Sequence, residues 1–120
     1  MDWFFLEAPH PVKDAEGSIS WFYENSDNIL DEGDLKNLLQ DFFNGLFIHY
    51  SSKDIYVIGF SQGGLVCLDF VLFLDQPLGG VFPIAGLSRN QKVKVQRYHP
   101  CQKRTPIMIA HGKNDDRVPV

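Results

Sequence analysis

The chain has 120 residues, of which 44% are hydrophobic and 13% aromatic, a composition typical of a globular domain with an apolar core. Its net charge of −4 argues against nucleic acid as the main partner. Two unclustered cysteines exclude a disulfide framework and a cysteine-based metal site, so we expect free thiols in a reducing compartment.

The N-terminal third combines a short apolar run with a long polar loop. Residues 3–6 are all apolar, which predicts a buried strand. Prolines and a glycine then mark a loop that runs to about Gly33. Within this loop, Trp21 and Phe22 belong to an aromatic cluster that either anchors the loop on the core or lines a pocket. Anchoring is the more frequent arrangement.

Apolar residues at helical spacing follow between residues 35 and 47. Their i, i+3, i+4, i+7 pattern predicts an amphipathic helix, and acidic residues at its start suit the helix dipole. Residues 51–54 are polar and predict a turn into an apolar strand at residues 55–60.

The most informative stretch is Gly-Phe-Ser-Gln-Gly-Gly at residues 59–64, between that strand and an apolar helix. This is the context that a nucleophile elbow requires. Ser61 would lie on a strained turn, with Gly59 and Gly63 allowing two backbones to crowd it. The backbone N–H of Gln62 would point to where an oxyanion forms. The alternative is an ordinary glycine-rich turn between a strand and a helix.

The second half of the chain predicts two more strands. The helix after Ser61 is expected to end at a Gly-Gly pair at residues 79–80. Residues 81–84 then form a strand in which Pro83 suggests a bulge, and residues 106–110 form the last strand. This alternation predicts an α/β fold in a single domain, with a mainly parallel sheet and helices on both faces.

Charge is distributed unevenly along the chain. Residues 1–75 hold thirteen acidic and three basic residues, whereas residues 76–120 hold two and eight. Most of these basic residues form a cluster between residues 89 and 104. This basic cluster is either a binding patch for an anionic headgroup or an acidic partner, or part of a solvated loop with a short helix near residues 93–97. The solvated loop is the more frequent arrangement. The basic cluster consists of Arg89, Lys92, Lys94, Arg97, Lys103 and Arg104.

The N-terminus and the apolar runs bear on location. No secretory leader is recognisable, since Met1 is followed by Asp2 without a basic region. The longest apolar run, residues 65–74, contains Asp69 and is too short to span a bilayer. We therefore expect no transmembrane segment and a cytoplasmic location.

An acidic turn follows the last predicted strand. Asp115 would lie on the same sheet edge as Ser61, where a carboxylate can orient a histidine and stabilise its imidazolium. Asp116 is the fallback, because adjacent acids blur the assignment. The alternative is an Asx-type turn, for which residues 114–116 are well suited.

These two motifs in this order resemble the α/β-hydrolase superfamily, and within it the phospholipase/carboxylesterase group that includes acyl-protein thioesterases. The likeness rests on residues 59–64 and on His-Gly-x-x-Asp-x-x-Val-Pro at residues 111–119. Ala-Pro at residues 8–9 and Ser-Trp-Phe at residues 20–22 support it. The fungal-type small serine hydrolases share several of these features and stay an open alternative.

The resemblance implies a serine hydrolase of carboxylic esters or thioesters, with a small-molecule or lipid-like acyl substrate and no metal or organic cofactor. It implies Ser61 as the nucleophile, the Gln62 amide as an oxyanion donor and Asp115 as the triad acid. Trp21 and Phe22 match a family loop near the substrate pocket.

The chain also departs from the family pattern. The superfamily order is serine, acid, histidine, and no histidine follows Asp115. A glycine-rich oxyanion loop before Trp3 is likewise missing. We therefore expect a partial hydrolase domain at residues 1–120, completed by a histidine from elsewhere. The histidines of this chain all precede the acid: His10, His49, His99 and His111.

Two other functions stay open. One is a catalytically inactive hydrolase-like domain that binds a ligand or a partner, which the missing histidine favours. The other is a related hydrolase, such as a peptidase or a dienelactone hydrolase, although the latter usually carries cysteine at the elbow. The sequence carries no signal for the oligomeric state.

Overall fold

The computed structural model describes residues 1–13, 15–24, 30–31, 33–86 and 98–116. The chain divides into two compact units, Met1–Asn37 and Leu38–Val120, and each has its own architecture. The single domain expected over residues 1–120 stays a prediction.

The first unit contains two short antiparallel strand pairs. Strand β1, His10–Pro11, pairs with β2, Ile19–Ser20, and β3, Tyr23–Glu24, pairs with β4, Leu30–Asp31. The long loop predicted here is therefore interrupted by these two-residue pairs. Between β2 and β3, Phe22 is buried, as expected of a residue that anchors a loop.

The buried strand predicted at residues 3–6 is wrong. Residues 1–8 form neither helix nor strand, and the four apolar side chains at positions 3–6 are exposed. A strand forms only beside a neighbour that pairs with its backbone groups, and no described strand pairs with these residues. Apolar character alone does not supply that neighbour.

Helix α1, Gly33–His49, confirms the predicted amphipathic helix and spans the boundary between the units. Its buried positions are Leu35, Leu39 and Phe43, which recur every four residues along one face. Leu38 belongs to the same predicted apolar set but is exposed. The buried stripe is therefore narrower than the sequence pattern suggests.

The second unit is built on a parallel sheet. A short 3₁₀ turn, Ser52–Asp54, leads into strand β5, Tyr56–Phe60, which pairs in parallel and continuous register with β6, Gly80–Ile84. Residues 106–110 run beside the other edge of β6 through two isolated parallel bridges. Helix α2, Gln62–Asp69, packs on this sheet. The parallel sheet and its helices confirm the α/β class.

The two faces of β5 differ in their exposure. Val57 and Gly59 are half-buried, and Gly59 lies directly against α2. The alternating residues Tyr56, Ile58 and Phe60 are 61%, 58% and 71% exposed. Because side chains alternate along a strand, α2 covers one face of β5 and the other face is open to solvent.

Pro83 does not produce the predicted bulge. It lies within β6, and the register with β5 continues through it. On the other edge of β6, the N–H groups of Val81 and Ala85 each donate to a carbonyl of residues 106–110. Pro83, midway between them, has no N–H to donate. That missing hydrogen bond explains why residues 106–110 form two separate bridges rather than the predicted continuous strand.

Helix α2 is shorter than predicted. It ends at Asp69 rather than near residue 79, and a 3₁₀ turn, Val71–Phe73, follows it. Phe70 leaves the helical conformation, with φ −131° and ψ −49°. The carbonyls of Leu74 and Gln76 then accept hydrogen bonds from a side chain outside the helix.

That side chain is Gln102, in the 3₁₀ helix Pro100–Arg104. It is buried, and its Nε2 donates to the Leu74 and Gln76 carbonyls at 2.8 and 2.7 Å. Its Oε1 accepts from the Leu78 N–H at 3.4 Å and from the Thr105 hydroxyl at 2.6 Å. One amide therefore ties the irregular segment before β6 to the segment that leads into residues 106–110.

The basic cluster lies mostly outside the described residues. Arg89, Lys92, Lys94 and Arg97 fall within residues 87–97, as does the short helix predicted near residues 93–97. Lys103 and Arg104 are described, and both are exposed. In the part of the chain that the structure describes, no helix has the length and apolar character needed to cross a membrane.

We expect Gln102→Ala to lower the free energy of unfolding by about 3 kcal/mol, because it leaves several buried polar groups unpaired. Urea unfolding of the chain measures this change. The matched control is Gln40→Ala on α1, where the amide makes one exposed hydrogen bond to Asn44. That variant is expected to change stability by no more than about 0.5 kcal/mol. Equal losses in the two variants would contradict the tying role of Gln102.

Candidate active site

The chain turns sharply at Ser61, between the end of β5 and the start of α2. Ser61 has φ 54° and ψ −113°, a conformation that residues other than glycine rarely adopt and that costs about 1–3 kcal/mol. Its N–H donates to the Ile84 carbonyl at 2.8 Å, and its carbonyl accepts from the Leu65 N–H at 3.1 Å. Both backbone groups of Ser61 hold the strained turn, while the residue itself is exposed.

The glycines of the motif have unequal roles in this turn. A Cβ on Gly59 would overlap with the carbonyl group of Gly63 and would lie 2.8 Å from the Cys67 Sγ. A Cβ on Gly63 would meet no described atom within 4 Å. The crowding expected from both glycines is therefore relieved by Gly59 alone, and the Gly63 position has room for a side chain.

The thiol of Cys67 fills the space between α2 and Gly59. Cys67 is buried, and burial raises the pKa of its thiol to about 12. It is therefore protonated at neutral pH and is not a nucleophile. The second thiol, Cys101, donates to the Leu74 carbonyl at 3.3 Å, and burial and the Asp75 carboxylate raise its pKa. Both cysteines are free, as predicted.

Asp115 follows the strand segment at the far edge of β6. Phe60, which precedes Ser61, lies opposite Ile84 in β6, and Ile84 lies opposite Ala110. One strand therefore separates the two chain segments that lead to Ser61 and Asp115. The carboxyl ends of these two segments lie at the same end of the sheet, about 10 Å apart, given the usual spacing of strands.

The turn that carries Asp115 is closed by its own backbone. The Asp115 N–H donates to the Gly112 carbonyl at 3.2 Å, so a local turn does form here. The Asp115 side chain is half-buried, with Oδ2 3.8 Å from the Nε2 of His111, whereas Asp116 is exposed. A local turn and a carboxylate that faces a histidine were alternative interpretations of the sequence. The structure contains both, because the turn places the Asp115 carboxylate beside the imidazole of His111.

The other histidines are distant from this turn in the chain. His99 is a packing residue. Its ring Nδ1 accepts from the backbone N–H of Cys101 at 3.2 Å, and its backbone N–H donates to the Leu72 carbonyl. His10 lies in β1, and His49 ends α1. Among the described residues, no group of three or more His, Cys, Asp or Glu side chains could hold a metal ion.

Sequence reasoning missed the residues that follow β6. Ala85 has φ 51°, a left-handed conformation, and Gly86 packs against Gly64 in the first turn of α2. The only available signal was the pair of small residues after the strand. Alanine does not usually mark a left-handed turn, so the sequence indicates neither feature.

The family of the chain is decided by comparison with known proteins. The sequence pattern of the phospholipase/carboxylesterase family matches residues 2–120. The chain belongs to this family. The family is the one that the motifs at residues 59–64 and 111–119 resemble, and that resemblance is confirmed.

Individual relatives of the family cover most of the chain. Acyl-protein thioesterase 1 from Emericella nidulans is 35% identical over an alignment of 106 positions, which covers 82% of this chain and 43% of that protein. A rice protein (Oryza sativa subsp. japonica) named "Probable inactive carboxylesterase" is 27% identical over an alignment of 130 positions, which covers 98% of this chain and 53% of that protein.

A solved structure supports the same family. The crystal structure of Arabidopsis thaliana SOBER1 superposes with a TM-score of 0.74 at 25% identity, covering 98% of this chain and 61% of that one. The fold is therefore that of an α/β hydrolase. The chain spans about half the length of these relatives.

Paired glycine substitutions test the crowding at the elbow. We expect Gly59→Ala to lower the free energy of unfolding by about 1–3 kcal/mol, because its Cβ overlaps with the backbone of α2. Gly63→Ala is expected to be neutral or to stabilise by up to about 1 kcal/mol, since it adds helix propensity in open space. Urea unfolding compares them. Similar stabilities for the two variants would disprove the close approach at Gly59.

Proposed function

We propose that the chain carries the nucleophile and the acid of a serine hydrolase that cleaves carboxylic esters or thioesters. The backbone of Ser61 is the observation that carries this proposal, because strain of this kind persists mainly at functional sites. The segment that leads to Asp115 runs beside β6, through the bridge between Ile84 and Ala110, and this supports the proposal. Family membership and the relative named as a thioesterase support the reaction class.

In the first step, the Ser61 hydroxyl oxygen attacks the acyl carbonyl carbon while a base takes the hydroxyl proton. The carbonyl oxygen becomes an oxyanion. We assign the oxyanion to the N–H of Gln62, the residue after the nucleophile. Gln62 begins α2, where the helix dipole favours negative charge.

In the second step, the bond from carbon to the leaving oxygen or sulfur breaks, and the leaving group takes the proton from the base. The acyl group stays on Ser61 until a water molecule, deprotonated by the same base, attacks the acyl carbon. The carboxylic acid product then leaves, and the base returns the proton to the Ser61 oxygen. The carboxylate of Asp115 orients the base and stabilises its charged form.

The base of this mechanism is a histidine that we place outside residues 1–120. The superfamily order puts it after the acid, and His111 precedes Asp115 by four residues. The substrate is a small-molecule or lipid-like acyl ester or thioester. Trp21 and Phe22 are proposed pocket residues, although the buried position of Phe22 equally suits anchoring.

A second candidate function is a hydrolase-like binding domain without catalysis. The rice relative named as inactive shows that the family name alone does not guarantee activity. A serine without a base is a poor nucleophile at neutral pH.

A fluorophosphonate probe separates the two functions. We expect the chain, expressed in the longest reading frame that contains it, to gain one covalent adduct at Ser61, as read by intact mass and peptide mapping. Ser61→Ala abolishes the adduct, and Ser51→Ala, at another exposed serine, retains it. No adduct in the unmodified protein, or an adduct in Ser61→Ala, would favour the binding domain.

Two neighbouring substitutions identify the acid in the same labelling assay. We expect Asp115→Asn to slow labelling by on the order of 10³-fold or more, because the base loses the carboxylate that fixes its tautomer. Asp116 is exposed, so Asp116→Asn is expected to keep the labelling rate within about threefold of that of the unmodified protein. The reverse result would move the acid to Asp116.

A further inference from the structure

A single peptide group connects the two halves of the candidate site. The carbonyl of Ile84 accepts the Ser61 N–H at 2.8 Å, and the N–H of Ala85 donates to the Ala110 carbonyl at 2.8 Å. This carbonyl and this N–H belong to the same peptide bond. The peptide between Ile84 and Ala85 therefore binds the nucleophile residue on one side and the segment that leads to Asp115 on the other.

The backbone after this peptide adopts an uncommon conformation. Ala85 is buried and has φ 51°, so the chain leaves β6 through a left-handed residue that carries a side chain. Such a conformation persists only where its surroundings hold it. Ser61 and Ala85 are each the first residue after a parallel strand, and the two unusual conformations lie beside each other.

Gly86 then makes a close backbone contact with α2. A Cβ on Gly86 would lie 2.5 Å from the carbonyl carbon and 2.6 Å from the Cα of Gly64, and 2.8 Å from the Leu65 nitrogen. A Cβ on Gly64 would lie 2.9 Å from the Gly86 Cα. This contact fixes the first turn of the helix that begins next to Ser61.

We propose that Ala85 and Gly86 are positioning residues, which hold the Ser61 hydroxyl at its spacing from Asp115. This role rests on the proposed function. The left-handed turn at Ala85 brings Gly86 against α2. It also orients the peptide between Ile84 and Ala85 for its hydrogen bonds to Ser61 and Ala110. A side chain at Gly86 pushes α2 away, and the Ser61 N–H then loses its acceptor.

The test compares three glycines that differ in the room for a side chain. Gly86→Ala is the severe variant, Gly64→Ala the milder one, and Gly45→Ala the control, since no described atom lies within 4 Å of a Cβ there. Each is made in the longest reading frame that contains the chain. The two readouts are the fluorophosphonate labelling rate and the amide hydrogen exchange of Ser61 and Met108.

We expect Gly86→Ala to slow labelling by about 10- to 100-fold and Gly64→Ala by a smaller factor, because small displacements of a nucleophile are costly. Gly45→Ala labels at the unmodified rate. The Ser61 amide exchanges at least about tenfold faster in Gly86→Ala. The Met108 amide, which donates to the Val81 carbonyl in the same sheet, is unchanged. A merely structural role would accelerate both amides together.

Labelling of Gly86→Ala at the unmodified rate overturns the proposal, as does equal acceleration of the two amides. If Gly86→Ala does not fold, Gly64→Ala decides by the same criteria. If the unmodified protein does not label, the proposed function fails by itself. Hydrogen exchange then still decides whether Gly86 holds the Ser61 turn.

Substitutions at Ala85 test the left-handed turn directly. Glycine adopts φ 51° freely, whereas a β-branched residue does not. Ala85→Gly is expected to keep the Ser61 amide protected within about threefold, and Ala85→Val to release it as Gly86→Ala does. Equal protection in the two variants would show that the left-handed conformation does not position Ser61.

Discussion

The site depends on the absence of one side chain, at Gly59. The carbonyl of Gly63 occupies the space that a Cβ at Gly59 would need, so the first turn of α2 rests directly on β5. This contact leaves a single residue, Ser61, to connect the strand to the helix. A connection that short forces the backbone into a strained conformation and turns the residue outward.

The strain at Ser61 is sustained mainly by backbone contacts. Its N–H is bonded to β6, Gly86 packs against Gly64, and the Cys67 thiol fills the gap beneath Gly59. These contacts involve glycines, main-chain groups and one small buried residue. Such a site has little capacity to absorb added volume, because packed interiors respond to a single methyl group.

The sequence patterns predicted some elements well and others poorly. The strand before Ser61 and helix α1 follow from apolar patterns that their own residues satisfy. The position where α2 ends and the conformation of residues 3–6 do not follow from local patterns, because they depend on partners distant in the chain. Gln102 binds carbonyls of the irregular segment that replaces the predicted end of α2, and residues 3–6 have no described strand beside them.

The sequence by itself determined the family and the α/β class, because local spacing at residues 59–64 and 111–119 encodes the family motifs. Only the tertiary structure decided which of Gly59 and Gly63 has no room for a side chain, and it alone revealed the hydrogen bonds of the peptide that joins Ile84 to Ala85. The contacts of this peptide join segments far apart in the chain, and the crowding at Gly59 depends on how closely β5 and α2 pack. No local pattern records how closely two backbones approach.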